Sequence, residues 1–328
     1  MNRHLSRVGA LLSIVLIVAA CQSSGSLGTI PPLEPTPEPS LGSTPPENTP
    51  DPSTPSTPSA PPATAPPGGS QQPIATPAPT PAGTSVVRAY FVLAGDPGSE
   101  GLVPYLFEVP KTQAVATAAM QSLLAGAPRQ RDGYAQISSA IPAGTKLLGL
   151  TIRDGVATVD LSGEFASGGG SASSQYRLAQ VVYTLTQFPT VSSVRFMVDG
   201  DVVTVFGSEG LVLDGPQARD DFEDQLPAIF VDRPASGAAL GNPGRVAGTA
   251  NVFEASFVVT LLDGEDRVLV EDHLMATCGT GCRGTFDYVA QYNVGRAQWG
   301  TLRVWAGSAV DGSPVVVREY PVWLTPAG

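Results

Sequence analysis

The sequence predicts an α+β domain followed by an all-β sandwich, both placed behind a long proline-rich segment. Three observations support this fold class. Prolines recur at short intervals over residues 31–81, where large apolar side chains are almost absent. Strand patterns and two helical patterns share residues 86–207, with the helices expected on a mainly antiparallel sheet. Residues 229–326 contain strand patterns only.

The N-terminus has the order of a secretory signal. Arginines precede an apolar run over residues 10–17, and small residues lie directly before Cys21. This run is shorter than the roughly 20 residues that a membrane-spanning helix needs. Residues 1–20 are therefore predicted to be a signal peptide that is removed from the mature chain.

Small residues followed directly by cysteine resemble the bacterial lipobox. This resemblance implies that Cys21 is acylated and becomes the first mature residue. The protein would then be a lipoprotein of the cell membrane, anchored on its extracytoplasmic face. An ordinary secreted protein in which Cys21 has no lipid is the alternative.

Residues 21–85 are predicted to form a disordered linker. Their Pro, Thr and Ser composition cannot bury enough apolar surface to offset the entropy of ordering. Proline also favours the extended polyproline II conformation, so this segment would hold the folded domains away from the membrane. A peptide ligand for a proline-recognising partner is the alternative interpretation.

The charge of the chain excludes some partners. The formal net charge is −11 and the isoelectric point is about 4.6, and Lys111 and Lys146 are the two lysines. A nucleic-acid-binding protein needs a basic surface, so no nucleic-acid partner is expected. Membrane attachment should depend on the lipid at Cys21, because no basic stretch is present to bind anionic lipids.

The α+β domain is predicted from paired strands and two helices. Each hairpin has an Asp-Gly turn, which is a strong signal for two antiparallel strands. Thr112 is the expected N-cap of the first helix. In chain order the elements are strands 87–93 and 102–109, a helix over 113–125, a hairpin of 146–152 with 156–161, a helix over 173–188, and a hairpin of 194–198 with 202–206.

The remaining residues are predicted to be a linker and a sandwich. The linker covers residues 208–228, and its acidic stretch 219–224 is expected to be solvated. The sandwich is expected over 229–326, with its three tryptophans in the core or at the rim. Its strand-like runs are 245–248, 253–262, 268–277, 286–290, 302–306 and 315–324.

Cys278 and Cys282 are predicted to form a disulfide. An even pair of cysteines in an exported protein favours a disulfide, and two glycines between them let the chain fold back. Closing so small a loop would stabilise the fold by about 2 kcal/mol on the entropic model. Half of a zinc site is the alternative, with His273 as a further ligand.

Both domains resemble known families. Residues 139–145, 155–162 and 179–185 resemble the GerMN domain of sporulation and spore germination. Residues 246–255, with the Cys278–Cys282 segment and 311–314, resemble the immunoglobulin-like domain of bacterial spore germination. The resemblance implies an immunoglobulin-like sandwich and a function in protein–protein packing. The resemblance implies no catalytic residue in this chain.

Two candidate sites remain. Asp160 and Glu164 could act as an acid–base pair on a sugar, although a carboxylate at such a place also caps turns. Before the second helix, backbone amides could cradle an anion, although a flexible loop capped by Ser173 is the alternative. That loop consists of Gly168, Gly169, Gly170 and Ser171.

The sequence therefore predicts a non-catalytic envelope protein. No catalytic residue, metal site or cofactor is expected, and the partner would be another envelope protein or peptidoglycan. The chain would act as a protein-interaction or wall-binding module, in a process such as germination or envelope assembly. A peptidoglycan hydrolase and a small-ligand-binding lipoprotein are the alternatives.

The lipid on Cys21 can be tested directly. We expect mass spectrometry of membrane-extracted protein to find a mature N-terminus at Cys21 carrying acyl groups, because small residues and cysteine follow the apolar run. A Cys21→Ala variant should remain unprocessed. An unmodified Cys21, or a mature chain that starts elsewhere, would show that the lipobox interpretation is wrong.

Overall fold

The structure is a computed structural model that describes residues 83–327. The predicted signal peptide, Cys21 and all but the last three residues of the predicted linker 21–85 lie outside the described residues. The first strand begins at Thr84, slightly earlier than its pattern predicted, because Thr84 and Ser85 pair with the end of the second strand. No helix within 83–327 has the length and apolarity needed to cross a membrane.

The α+β domain consists of two α-helices and three small sheets. Its elements are β1 (Thr84–Leu93), β2 (Gly101–Pro110), α1 (Val115–Leu124), β3 (Ile137–Ser138), β4 (Leu147–Arg153), β5 (Val156–Leu161), α2 (Ser171–Leu185), β6 (Ser193–Val198), β7 (Asp201–Val202), β8 (Val205–Phe206) and β9 (Leu211–Val212). The sheet orders are β2-β1-β3, β4-β5-β6-β7 and β8-β9. All pairs are antiparallel except β5 with β6, which α2 joins as a parallel crossover.

Helix α2 packs its predicted apolar stripe into the core. Leu178, Val181, Val182 and Leu185 are all fully buried. The same stripe is why the helix forms here, since most of its stability comes from packing an apolar face.

Polar side chains at the end of α2 complete the open edge of β1. Gln180 Nε2 donates to the Tyr90 carbonyl at 2.8 Å, and the Tyr90 N–H donates to Thr184 Oγ1 at 3.2 Å. Gln187 makes a similar pair of bonds with the backbone of Arg88, at 2.8 and 2.7 Å. A buried strand edge must find partners, and here helix side chains take the place of another strand.

Two details of the α+β domain differ from the prediction. Thr112 is not the N-cap of α1: its hydroxyl accepts the N–H of Ala114 at 3.1 Å, and the helix begins only after Ala114. The second hairpin is shorter than predicted, because the chain turns away after Val202 and pairs β8 with β9. This turn buries Phe206 against Phe165, with 5.2 Å between ring centroids.

The second domain is an immunoglobulin-like sandwich of two sheets. Its strands are β10 (Ile229–Arg233), β11 (Ala239–Leu240), β12 (Gly244–Ala250), β13 (Ser256–Leu262), β14 (Val268–Met275), β15 (Gly284–Ala290), β16 (Gln298–Gly307) and β17 (Pro314–Leu324). The orders are β10-β12-β15 and β11-β17-β16-β13-β14. Phe257 and Phe286 meet between the sheets, 4.9 Å apart. Trp299, Trp305 and Trp323 are half-buried at the rim.

The acidic stretch between the domains is only partly solvated. Arg219–Gln225 forms a 3₁₀ turn whose acidic side chains are exposed, as predicted. The expectation of a solvated linker is nevertheless wrong for Phe222 and Gln225, which are buried. The turn packs against α2, so this stretch belongs to the folded body. We refer to Arg219–Gln225 as the connecting turn.

A buried arginine joins the two domains. Arg318 lies on β17 of the sandwich and is 3% exposed. Its guanidinium donates to three carbonyls of the α+β domain: Ser99 at 2.7 Å, Leu102 at 3.1 Å and Gly101 at 3.4 Å. The ring of Tyr320 lies under the guanidinium, 5.4 Å away. All three of these hydrogen bonds cross the domain boundary, and the described residues form one compact unit.

The backbone of Gly101 is also part of this contact. Gly101 has φ +137°, and a Cβ there would lie 2.7 Å from the nitrogen of Pro227. Nearby, the Ser236 hydroxyl of the sandwich donates to Gln130 Oε1 of the α+β domain at 3.0 Å. Close backbone approach and buried hydrogen bonds therefore accompany the Arg318 contact.

Replacing Arg318 with methionine should loosen the domain boundary. The substitution leaves three carbonyls without their donor, so we expect the free energy of unfolding in urea to fall by about 2–4 kcal/mol. Tryptophan fluorescence, which reports on the sandwich alone, and far-UV circular dichroism should give one transition in the unchanged protein and separate transitions in the variant. Arg303→Met is the control, since Arg303 makes a half-exposed ion pair with Glu319 and should cost at most about 1 kcal/mol. Equal losses in both variants would contradict this role.

Candidate functional site

Asp160 and Glu164 are each engaged in a local turn. Asp160 Oδ1 accepts the N–H of Gly200 at 3.1 Å and braces the turn between β6 and β7. Glu164 accepts a short hydrogen bond from the Ser162 hydroxyl, which in turn accepts the N–H of Lys146. The Ser162 hydroxyl holds the pKa of Glu164 below its usual range, whereas a general acid at neutral pH needs a raised pKa. Their observed contacts stabilise turns.

The glycine-rich loop before α2 is built around a buried arginine. Arg177 is 2% exposed and donates to the carbonyls of Phe165 at 2.7 Å, Ser167 at 3.0 Å and Gly168 at 2.8 Å. A Cβ at Gly169 would lie 2.7 Å from Arg177 Nη2, and this residue has φ +79°. The guanidinium therefore explains why glycine is needed here.

The start of α2 also differs from the prediction. The helix begins at Ser171 with Gly170 as its N-cap, so no side chain caps this end of the helix. Ser173 is not the cap, because it lies inside the first turn, where its hydroxyl accepts a bond from Arg177 at 3.3 Å. Sequence reasoning missed Arg177, although an arginine directly before the apolar residue Leu178 was a visible signal.

The two cysteines form the predicted disulfide. Cys278 and Cys282 are bonded in the connection between β14 and β15, with their Cα atoms 5.8 Å apart. The zinc alternative thereby loses both sulfur ligands. His273 lies exposed on the edge strand β14, opposite Val258. Within residues 83–327, no group of three His, Cys, Asp or Glu side chains is placed to hold a metal.

A cavity of about 630 Å³ opens between the two domains. Its floor is the outer face of β12 and β15, including Thr249 and Thr285. The connecting turn supplies the opposite wall through Arg219 and Glu223, together with Leu226, which follows the turn. We call this cavity the interdomain cleft. No sequence motif indicated it, because its residues come from separate segments that meet only in the folded protein.

A buried network of aromatic and charged groups closes the back of the cleft. The guanidinium of Arg219 lies 4.5 Å from the ring centre of Tyr183 and 5.6 Å from that of Tyr90. The Tyr90 hydroxyl donates to Asp232 Oδ1 of the sandwich at 2.6 Å. Burial raises the pKa of Tyr183 to about 12, and burial with the nearby Asp232 raises that of Tyr90. Both phenols are therefore neutral at neutral pH.

Each domain matches the model of a known family. Residues 88–204 match the Germane family, described as sporulation and spore germination. Residues 228–313 match the Gmad2 family, described as an immunoglobulin-like domain of bacterial spore germination. The two matches follow each other in the order that the sequence predicted.

Proteins similar to this chain include a curated lipoprotein and solved domains of a sporulation protein. Lipoprotein LpqB of Cutibacterium acnes is 31% identical over 182 residues, which cover 52% of this chain and 28% of that protein. The chain thus spans little more than a quarter of this relative. The first GerMN domain of the Bacillus subtilis sporulation protein GerM is 22% identical with a TM-score of 0.34, covering 42% of this chain and 100% of that chain. The tandem GerMN domains of GerM are 15% identical with a TM-score of 0.36, and the match covers 75% of this chain and 62% of that chain.

The buried tyrosines predict a loss of stability in alkali. An unfolded tyrosine ionises near pH 10, whereas folded Tyr183 does so only near pH 12. The unfolded state therefore binds fewer protons over this window, and the free energy of unfolding should fall as the pH rises from about 10 to 12. We expect Tyr183→Phe to weaken this dependence, as measured by urea unfolding at several pH values. Tyr134→Phe is the control, and an unchanged slope in Tyr183→Phe would contradict the assignment.

Proposed function

We propose that this chain, which carries a GerMN domain followed by the immunoglobulin-like domain of bacterial spore germination, is a non-catalytic lipoprotein of the cell envelope. It would present both domains as one rigid body to another envelope protein or to peptidoglycan. The observation that carries the proposal is the Arg318 contact, which fixes the domains to each other.

Rigid docking favours a function in assembly. Domains that move separately must be ordered when a partner binds both of them, and that ordering weakens binding. In this chain the order already exists, because Arg318, Gly101 and Ser236 hold the boundary. A binding surface that extends over both domains would therefore be preformed.

Membrane anchoring is supported by two separate findings. Cys21 follows a signal-like segment, and the similar protein of Cutibacterium acnes is named a lipoprotein. Acyl chains on the cysteine would hold the protein at the membrane. The proline-rich residues 31–81 would set the distance between this anchor and the folded body.

The hydrolase alternative receives little support from the geometry. A glycosidase needs one carboxyl group with a raised pKa and a second that faces the same sugar. Asp160 instead braces a turn, and Glu164 has a lowered pKa and a hydroxyl partner. Both groups are accounted for by local structure.

Photo-cross-linking in the native envelope tests the proposal. A photoreactive amino acid is placed at Val205 of the α+β domain or at Val289 of the sandwich, which are 57% and 54% exposed and do not support the core. We expect a reproducible envelope protein or peptidoglycan fragment to be captured, and the capture to be lost in a Cys21→Ala background. Capture that is unaffected by Cys21→Ala would contradict an anchored function.

A second assay separates binding from hydrolysis. Purified full-length protein is incubated with peptidoglycan, and released muropeptides are compared with those from an Asp160→Asn, Glu164→Gln double variant. We expect no release from either protein. Release that disappears in the double variant would overturn the non-catalytic proposal.

A further inference from the structure

The interdomain cleft contains two arginines in contrasting environments. Nε and Nη2 of Arg245 donate to the two carboxylate oxygens of Asp287, at 2.8 and 2.6 Å. Arg283, on the same floor, donates through Nη1 to the Pro227 carbonyl at 3.1 Å and to Thr249 Oγ1 at 3.4 Å. Within the described part of the chain, no carboxylate oxygen lies within 4.0 Å of Arg283.

The Arg283 guanidinium is only partly hydrogen-bonded. Its Nε is buried and makes no hydrogen bond, although a buried charged donor is costly to leave unpaired. Arg245 fills the same Nε and Nη2 positions with Asp287. Burial lowers the pKa of Arg283, whereas the hydrogen bond from Arg245 to Asp287 raises that of Arg245.

The surroundings of Arg283 suit one small anionic group. The hydroxyl-bearing residues Thr249 and Thr285 lie on the floor beside it. Met275, which is 75% exposed, adds an apolar surface. On the opposite wall, Glu223 would repel a ligand with several negative charges. A cavity of about 630 Å³ has the usual size of a small-molecule site.

We propose that the interdomain cleft binds a small ligand through a single carboxylate, which pairs with the guanidinium of Arg283 where that group lines the cleft. Arginine and carboxylate form a strong charge-assisted pair, and within the described residues Arg283 has no carboxylate partner of its own. Both the free C-terminus of a short peptide and a free carboxylic acid have this chemistry. The inference depends on the docked domains and is independent of the envelope function proposed above.

Calorimetric titration of the detergent-solubilised full-length protein tests this site. The probes are alanyl-alanine, its C-terminal amide and acetate. We expect alanyl-alanine to bind, and the amide to bind at least about tenfold more weakly, because it lacks the anion that pairs with Arg283. Binding of acetate alone would identify a free acid as the natural ligand class, while preference for the dipeptide would identify a peptide terminus.

Two matched variants locate the binding to this arginine. Arg283→Gln should weaken alanyl-alanine at least about tenfold. Arg303→Gln makes the same chemical change outside the cleft and should leave binding unchanged. If Arg283→Gln does not fold, the comparison between acid and amide in the unchanged protein decides the question.

Three results would overturn the proposal. The first is equal binding of alanyl-alanine and its amide. The second is equal affinity in the Arg283→Gln and Arg303→Gln variants. The third is the absence of binding by both carboxylates at concentrations that would fill a site with a Kd of about 1 mM.

Discussion

The arrangement of this protein depends on one buried cation that belongs to one domain and is hydrogen-bonded by carbonyl groups of the other. Arg318 comes from the sandwich, and the carbonyl oxygens of Ser99, Gly101 and Leu102 come from the α+β domain. A guanidinium stays protonated under all ordinary conditions, so the energetic cost of burying its charge cannot be avoided by deprotonation. Docking buries the guanidinium and the three carbonyls together, and the hydrogen bonds between them hold the two domains as one body.

Arginine has the same structural use elsewhere in the chain. Arg177 organises the loop before α2 by donating to carbonyls of Phe165, Ser167 and Gly168. Five donors in a fixed plane allow one guanidinium to bind several carbonyls at once. These buried arginines stabilise the fold, and Arg318 shares with Arg283 a buried Nε that makes no hydrogen bond.

The interdomain cleft is a consequence of this docking. Its floor belongs to the sandwich and its wall to the connecting turn, so neither domain contains the cavity alone. The network of Arg219, Tyr90 and Asp232 crosses the same boundary. A ligand that fills the cleft would therefore meet residues of the sandwich and of the connecting turn.

The sequence by itself determined the local structure of this protein. The Asp-Gly turns, the apolar stripe of α2 and the Cys278–Cys282 bond all follow from residues close together in the chain, where a few dihedral angles and short contacts decide the outcome. The family resemblance also depends on such local segments.

Only the tertiary structure decided which distant groups meet. It paired β5 with β6 in parallel and placed Gln180 and Thr184 on the edge of β1. It also drew Phe222 of the acidic stretch into the core and left Arg283 facing the interdomain cleft. These outcomes depend on whether a buried polar group finds its partner across a long sequence separation, and local patterns hold no information about that partner.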